Sequence, residues 1–149
     1  MKSETERIEE LLDSPYCVID FLPYQVPARS AGQFFAVEEL YMSKSHYPEL
    51  LHKFADIMLK LNCFYDFKVY RNDSSRGYLN PKPESLEKWL MENPTILNIL
   101  INEENTLLSF TSDSTCMTLY NPSATVLKYV QTLAAANGLF VWFPRQYDI

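Results

Sequence analysis

Glycine is almost missing from this sequence. Gly32, Gly77 and Gly138 are the whole complement in 149 residues, and a phosphate-cradling loop needs several close backbone approaches of the kind glycine permits. Histidine is as scarce, with His46 and His52 alone. Neither has a second histidine, cysteine or carboxylate at a familiar ligand spacing, so no metal site is expected. The three cysteines, Cys17, Cys63 and Cys116, are odd in number and form no CxxC pair. That pattern fits free thiols in a reducing cytoplasm, and all three are expected to be reduced and at least partly buried.

Positive charge is short as well. Thirteen Lys and Arg against nineteen Asp and Glu give a net charge of −6, which leaves no broad basic face for a phosphate backbone. The densest basic stretch, Lys68, Arg71, Arg76 and Lys82, is diluted by Asp66 and Asp73. Apolar runs long enough to span a bilayer are lacking, and residues 1–7 have no apolar core of the signal-peptide kind. The expectation is a cytoplasmic protein with no nucleic-acid partner, no membrane partner and no cofactor.

What is present is core-forming material. The chain is 47% hydrophobic and 21% charged, with ten tyrosines and nine phenylalanines, an ordinary globular composition. At this length it fits one domain, residues 1–149. Residues 106–143 read as two paired strands, a helix and a closing strand. Asn121-Pro122 supplies a cap and a first-turn proline. Ala124, Val126, Leu127, Val130, Leu133 and Ala134 recur at helical spacing, and Leu133, in mid-stripe, is expected to be fully buried. Asn137-Gly138 ends the helix, with glycine in the left-handed conformation. Leu139 to Phe143 follows as an apolar strand.

Upstream, Ser3-Glu4-Thr5-Glu6 is a capping-box pattern opening a helix over 4–13, and residues 1–14 form an appendage to the domain. Tyr16 to Leu22 reads as a strand and 23–30 as a loop. Gln33 to Met42 fits either period; its aromatic density and the Gly32 boundary favour a strand. Leu50, Leu51, Phe54, Ile57, Met58 and Leu61 define a helix over 46–61, with Ser45 as cap. A strand over 64–71, a polar loop over 72–83 and a short helix around Leu86, Trp89 and Leu90 come next. Three antiparallel strands over 95–101, 106–111 and 115–120 complete the chain, joined by turns at 102–105 and 112–114.

The fold expected is α+β: a mostly antiparallel sheet with helices 46–61 and 123–137 packed on one face. A slide of 75 residues sets Leu51 on Val126, Phe54 on Tyr129, Cys63 on Gly138, Tyr65 on Phe140 and Phe67 on Trp142, which suggests two pseudo-repeated strand-helix-strand units. Such an arrangement resembles, in topology alone, the duplicated modules of small ligand-binding folds such as the GyrI-like domains. No motif carries that likeness, and no site residue follows from it.

Chemistry is thinly represented. His52 and Asp56, four apart on a helix, fit a surface pair opposite the apolar stripe better than an oriented base. No basic neighbour in sequence activates a cysteine, and Glu38-Glu39 and Glu103-Glu104 do not face a common substrate. No catalytic residue is expected. Attention falls instead on two surfaces. Leu97, Ile99 and Ile101 should pack with Leu108, Phe110, Met117 and Leu119, leaving Asn98, Ser109, Thr111, Cys116, Thr118 and Tyr120 as a neutral, hydroxyl-rich face. In the last strand, Phe140 and Trp142 are expected inward and Leu139, Val141 and Phe143 outward, an apolar patch on the order of 300 Å². Leu139, Val141, Phe143, Thr118 and Tyr120 are therefore the candidate contact residues. The functional reading is a non-enzymatic protein acting through protein–protein contact, as a homodimer or with another partner. The alternative is a binding module for a small apolar or aromatic ligand.

Overall fold

The computed structural model describes residues 2–27 and 32–144. Of the expected loop over 23–30, positions 28–30 lie outside the described residues. Helices α1 (Glu4–Leu12), α2 (Phe34–Tyr41), α3 (Tyr47–Asn62), α4 (Pro83–Met91) and α5 (Ala124–Ala136) accompany one sheet. Its strands are β1 (Tyr16–Asp20), β2 (Lys68–Arg71), β3 (Gly77–Leu79), β4 (Ile96–Ile101), β5 (Thr106–Thr111), β6 (Cys116–Tyr120) and β7 (Phe140–Trp142). Among the described residues the order is β3-β2-β4-β5-β6-β1-β7, and every neighbouring pair is antiparallel. The fold is α+β, as the sequence implies.

The meander packs as its alternation requires. Leu97, Ile99, Ile101, Leu108, Phe110, Met117 and Leu119 share one buried cluster with the apolar stripe of α3, with Leu86 and Leu90 of α4, and with Val126, Val130 and Ala134 of α5. Side chains one residue out of phase point to the second face of the sheet. There α1, read from sequence as an appendage, lays Ile8 and Leu11 on Tyr70, Leu100 and Leu107. Ser3 caps α1, its hydroxyl accepting from Glu6 N, in line with the capping pattern.

Glu4 fixes α1 to the sheet. Its Oε1 accepts from Lys68 Nζ at 2.5 Å and Tyr70 Oη at 2.9 Å, and its Oε2 accepts from Asn102 Nδ2 at 2.9 Å. The Lys68 ammonium, with Asn102 and Tyr70, holds the carboxyl down at about 2. A carboxyl lowered on folding lends stability that is full above its unfolded value near 4.5 and is lost as pH falls through about 2. Glu4→Gln is therefore expected to lower stability at neutral pH by about 0.5–1 kcal/mol, a modest figure because the pair is partly solvated. Urea midpoints of the two proteins should converge as the pH is taken from 5 towards 2. A gap that persists unchanged at the acid end would contradict this role.

Several expectations are corrected. Residues 34–41 are helical: the i, i+3, i+7 spacing of Phe34, Val37 and Tyr41 outweighs aromatic density. The expected strand–helix–strand repeat is not realised, because its first strand is α2. Leu133 is only half-buried, at the margin of the core. The strand expected over 64–71 begins at Lys68, and the 72–83 loop contains β3.

Helix caps shift too. Ser123, not Asn121, caps α5, accepting from Val126 N at 3.2 Å. Asn121 sits in a left-handed turn at φ 52, a conformation asparagine tolerates. His46 stands at the N-cap of α3 in place of Ser45, with no side-chain cap bond.

Candidate functional site

The closing strand is not central. Among the described residues β7 pairs only with β1, in the register Val18↔Trp142, Ile19↔Val141 and Asp20↔Phe140. Directly opposed residues share a face, so buried Ile19 fixes Val141 toward the helices and Asp20 fixes Phe140 away from them. Leu139 is buried in the helix-side core and Val141 packs against it, which corrects the expected outward orientation of both. Phe140, expected inward, is exposed, as is Phe143. Thr118 and Tyr120 lie on the second face, across the sheet from Leu139 and Val141. The five candidate contact residues are thus divided between two faces and form no single patch.

The second face is more organised than a neutral strip of hydroxyls. Ser109 Oγ donates to Asn98 Oδ1 at 2.9 Å, and the rings of Tyr16 and Tyr120 pair at 5.5 Å. Burial raises the Tyr120 hydroxyl above its ordinary value, and Tyr16 adds to the effect. At the far end of β1, Asp20 is buried. It accepts from Trp142 Nε1 at 3.1 Å and from Phe21 N at 2.7 Å. Burial raises its carboxyl, while the bond from Trp142 opposes the rise and the charge of Glu38 on α2 adds to it. Asp20 thereby clamps β7 to β1. The sequence offered no signal for this clamp, because the two residues are 122 apart.

The residues singled out for chemistry disperse. Asp56 does not orient His52; it accepts from Asn137 Nδ2 at 2.7 Å and from Lys60 Nζ at 3.2 Å, joining α3 to the end of α5. All three cysteines are free. Cys17 is buried, and that burial pushes its thiol up to about 11. Cys116 is half-buried, and its thiol is likewise raised by burial. Cys63 is exposed at the end of α3, against the expectation of partial burial. Its φ of −67 is right-handed, so this helix end does not share the backbone of Gly138. Among the described residues no three His, Cys, Asp or Glu side chains gather as a metal would require. No helix there is long and apolar enough to cross a membrane.

The least buried apolar feature is α2. None of its eight residues is buried. Phe35 is 77% exposed and Leu40 is 52% exposed, and Tyr24, in the loop before the helix, is 70% exposed. Its inner side rests lightly on the body of the domain through Tyr41, whose ring lies 4.8 Å from Phe21 and 6.1 Å from His46. Reading residues 33–42 as a strand hid this helix and its free side. Compared with known proteins, the chain matches no family model, no curated protein and no solved structure.

Proposed function

We propose that the protein works by protein–protein contact, with α2 as its contact element. The observation that carries this reading is a helix of high apolar content with no buried side chain, Phe35 and Leu40 standing in solvent. Large apolar side chains gathered on one exposed element mark interaction sites more often than single exposed ones do. Covering Phe35 and Leu40 would contribute about 1.5–3 kcal/mol each before the costs of association. Self-association is the simplest form of such contact. In sedimentation at tens of micromolar, the wild type is expected as a dimer and the Phe35→Lys, Leu40→Lys double variant as a folded monomer. Dichroism of both proteins checks the fold. A wild type that stays monomeric into the millimolar range, or a variant that still dimerises, overturns self-association through α2.

A further inference from the structure

A cavity of about 470 Å³ opens between the end of α2, the start of α3, the end of α4 and the β5–β6 turn. Its size falls within the range of small-molecule sites. The floor is apolar: Leu51, Leu90 and Phe110 at the base, with Met42 and Met91 beside them. Thioether side chains adapt to the outline of a flat guest and contact aromatic rings favourably.

The walls are fixed before any guest arrives. Tyr47 Oη donates to Ser114 O at 2.8 Å and accepts from Ser114 N at 3.1 Å. Ser112 N donates to Thr95 O at 2.8 Å, and Thr95 N donates to Ser112 Oγ at 3.0 Å. The turn between β5 and β6 is thus pinned from both sides, and a prearranged site spends less free energy on ordering.

The rim carries charge. Glu92 is engaged by Arg71 Nη2 at 2.8 Å. Asp113, exposed at the tip of the turn, accepts a long 3.5 Å contact from Asn93 Nδ2. Lys44 lines the same rim, so the charge of the head group is the point to decide. The field of a chain with net charge −6 draws cations rather than anions, and Asp113 supplies the local partner.

We propose that this cavity binds a small aromatic amine, the ring between the two methionines above the buried apolar floor and the ammonium at Asp113. The site is separate from the free side of α2. Tryptamine, followed by amide chemical shifts, is expected to bind with a dissociation constant on the order of 0.1–1 mM. Its shifts should centre on Tyr47, Met91 and residues 112–114. Met42→Trp should fill the mouth and weaken binding at least about tenfold. Asp113→Asn should weaken tryptamine several-fold while leaving neutral indole unchanged. Asparagine accepts the left-handed backbone that Asp113 holds at φ 63, so the turn survives that change. Phe35→Lys should leave tryptamine binding intact, which separates this site from association through α2. The proposal is overturned by no binding at about 5 mM, by Met42→Trp binding as well as wild type, or by indole-3-acetate binding as tightly as tryptamine.

Discussion

Phe54→Ala is expected to remove about 3–5 kcal/mol of folding stability, the largest effect of any single truncation considered for this protein. Phe54 is fully buried in the middle of α3, its ring 5.8 Å from that of Phe110 on β5. The space it leaves cannot readily collapse. Tyr47 holds the start of α3 to the β5–β6 turn, and Asp56 holds its second half to Asn137. A cavity bounded by anchored elements retains its volume, and the cost grows with that volume. Leu133→Ala supplies the contrast. Leu133 is only half-buried, so about 1–2 kcal/mol is expected there, below the range for a fully buried leucine. Urea titrations of the two variants beside wild type give both numbers. A Phe54 variant within 1 kcal/mol of wild type would mean that α3 relaxes onto the sheet.

Much of the core was legible because its signals are local. The alternation of Leu97, Ile99 and Ile101 and the stripe of α3 each state their own period, and both faces of the meander follow from that period alone. The N-cap at Ser3 and the stop at Gly138 are equally local. What escaped was set by pairings distant in sequence. Whether Leu139 or Phe140 faces the helices depends on the partner strand, and β1 lies some 120 residues earlier. Without Ile19 opposite Val141, a run of five apolar residues gives no parity, and a slip of one residue inverts every side chain.

The candidate site failed to show in sequence for a related reason. Residues 34–41 carry an aromatic density that reads as strand, yet among the described residues no sheet edge receives them, and they fold as a helix with Phe35 and Leu40 uncovered. Local consistency normally ties an apolar residue to burial; an element that breaks the tie is where function concentrates. The cavity is less legible still. Its lining comes from α3, α4, β5, the segments that follow α2 and α4, and the β5–β6 turn, and no window of the chain holds more than a part of it.

The end of α5 provides the second large effect. Gly138 has φ +70, Gly138 N donates to Ala135 O at 3.1 Å, and Leu139 N donates to Ala134 O at 2.8 Å. This is the paired bonding of a Schellman ending, and the apolar contact that accompanies it joins Leu139 to the same core as Ala134. The turn also delivers Leu139 inward, in phase with the parity that pairing with β1 imposes on β7, and Trp142 then lies where Asp20 receives it. A Cβ added at Gly138 would meet nothing within 4 Å. Crowding is therefore not the issue, and the whole cost of substitution lies in holding an L-residue in the left-handed region. For Gly138→Val that cost is about 1–2 kcal/mol, with a β-branched side chain at the upper end. Gly138→Asn should fall between valine and wild type, since asparagine enters that region more readily. Thermal unfolding should then rank the proteins glycine, asparagine, valine, with the indole of Trp142 reporting any loosening of β7. Equal stability of all three would show that the helix does not end in the left-handed turn in solution.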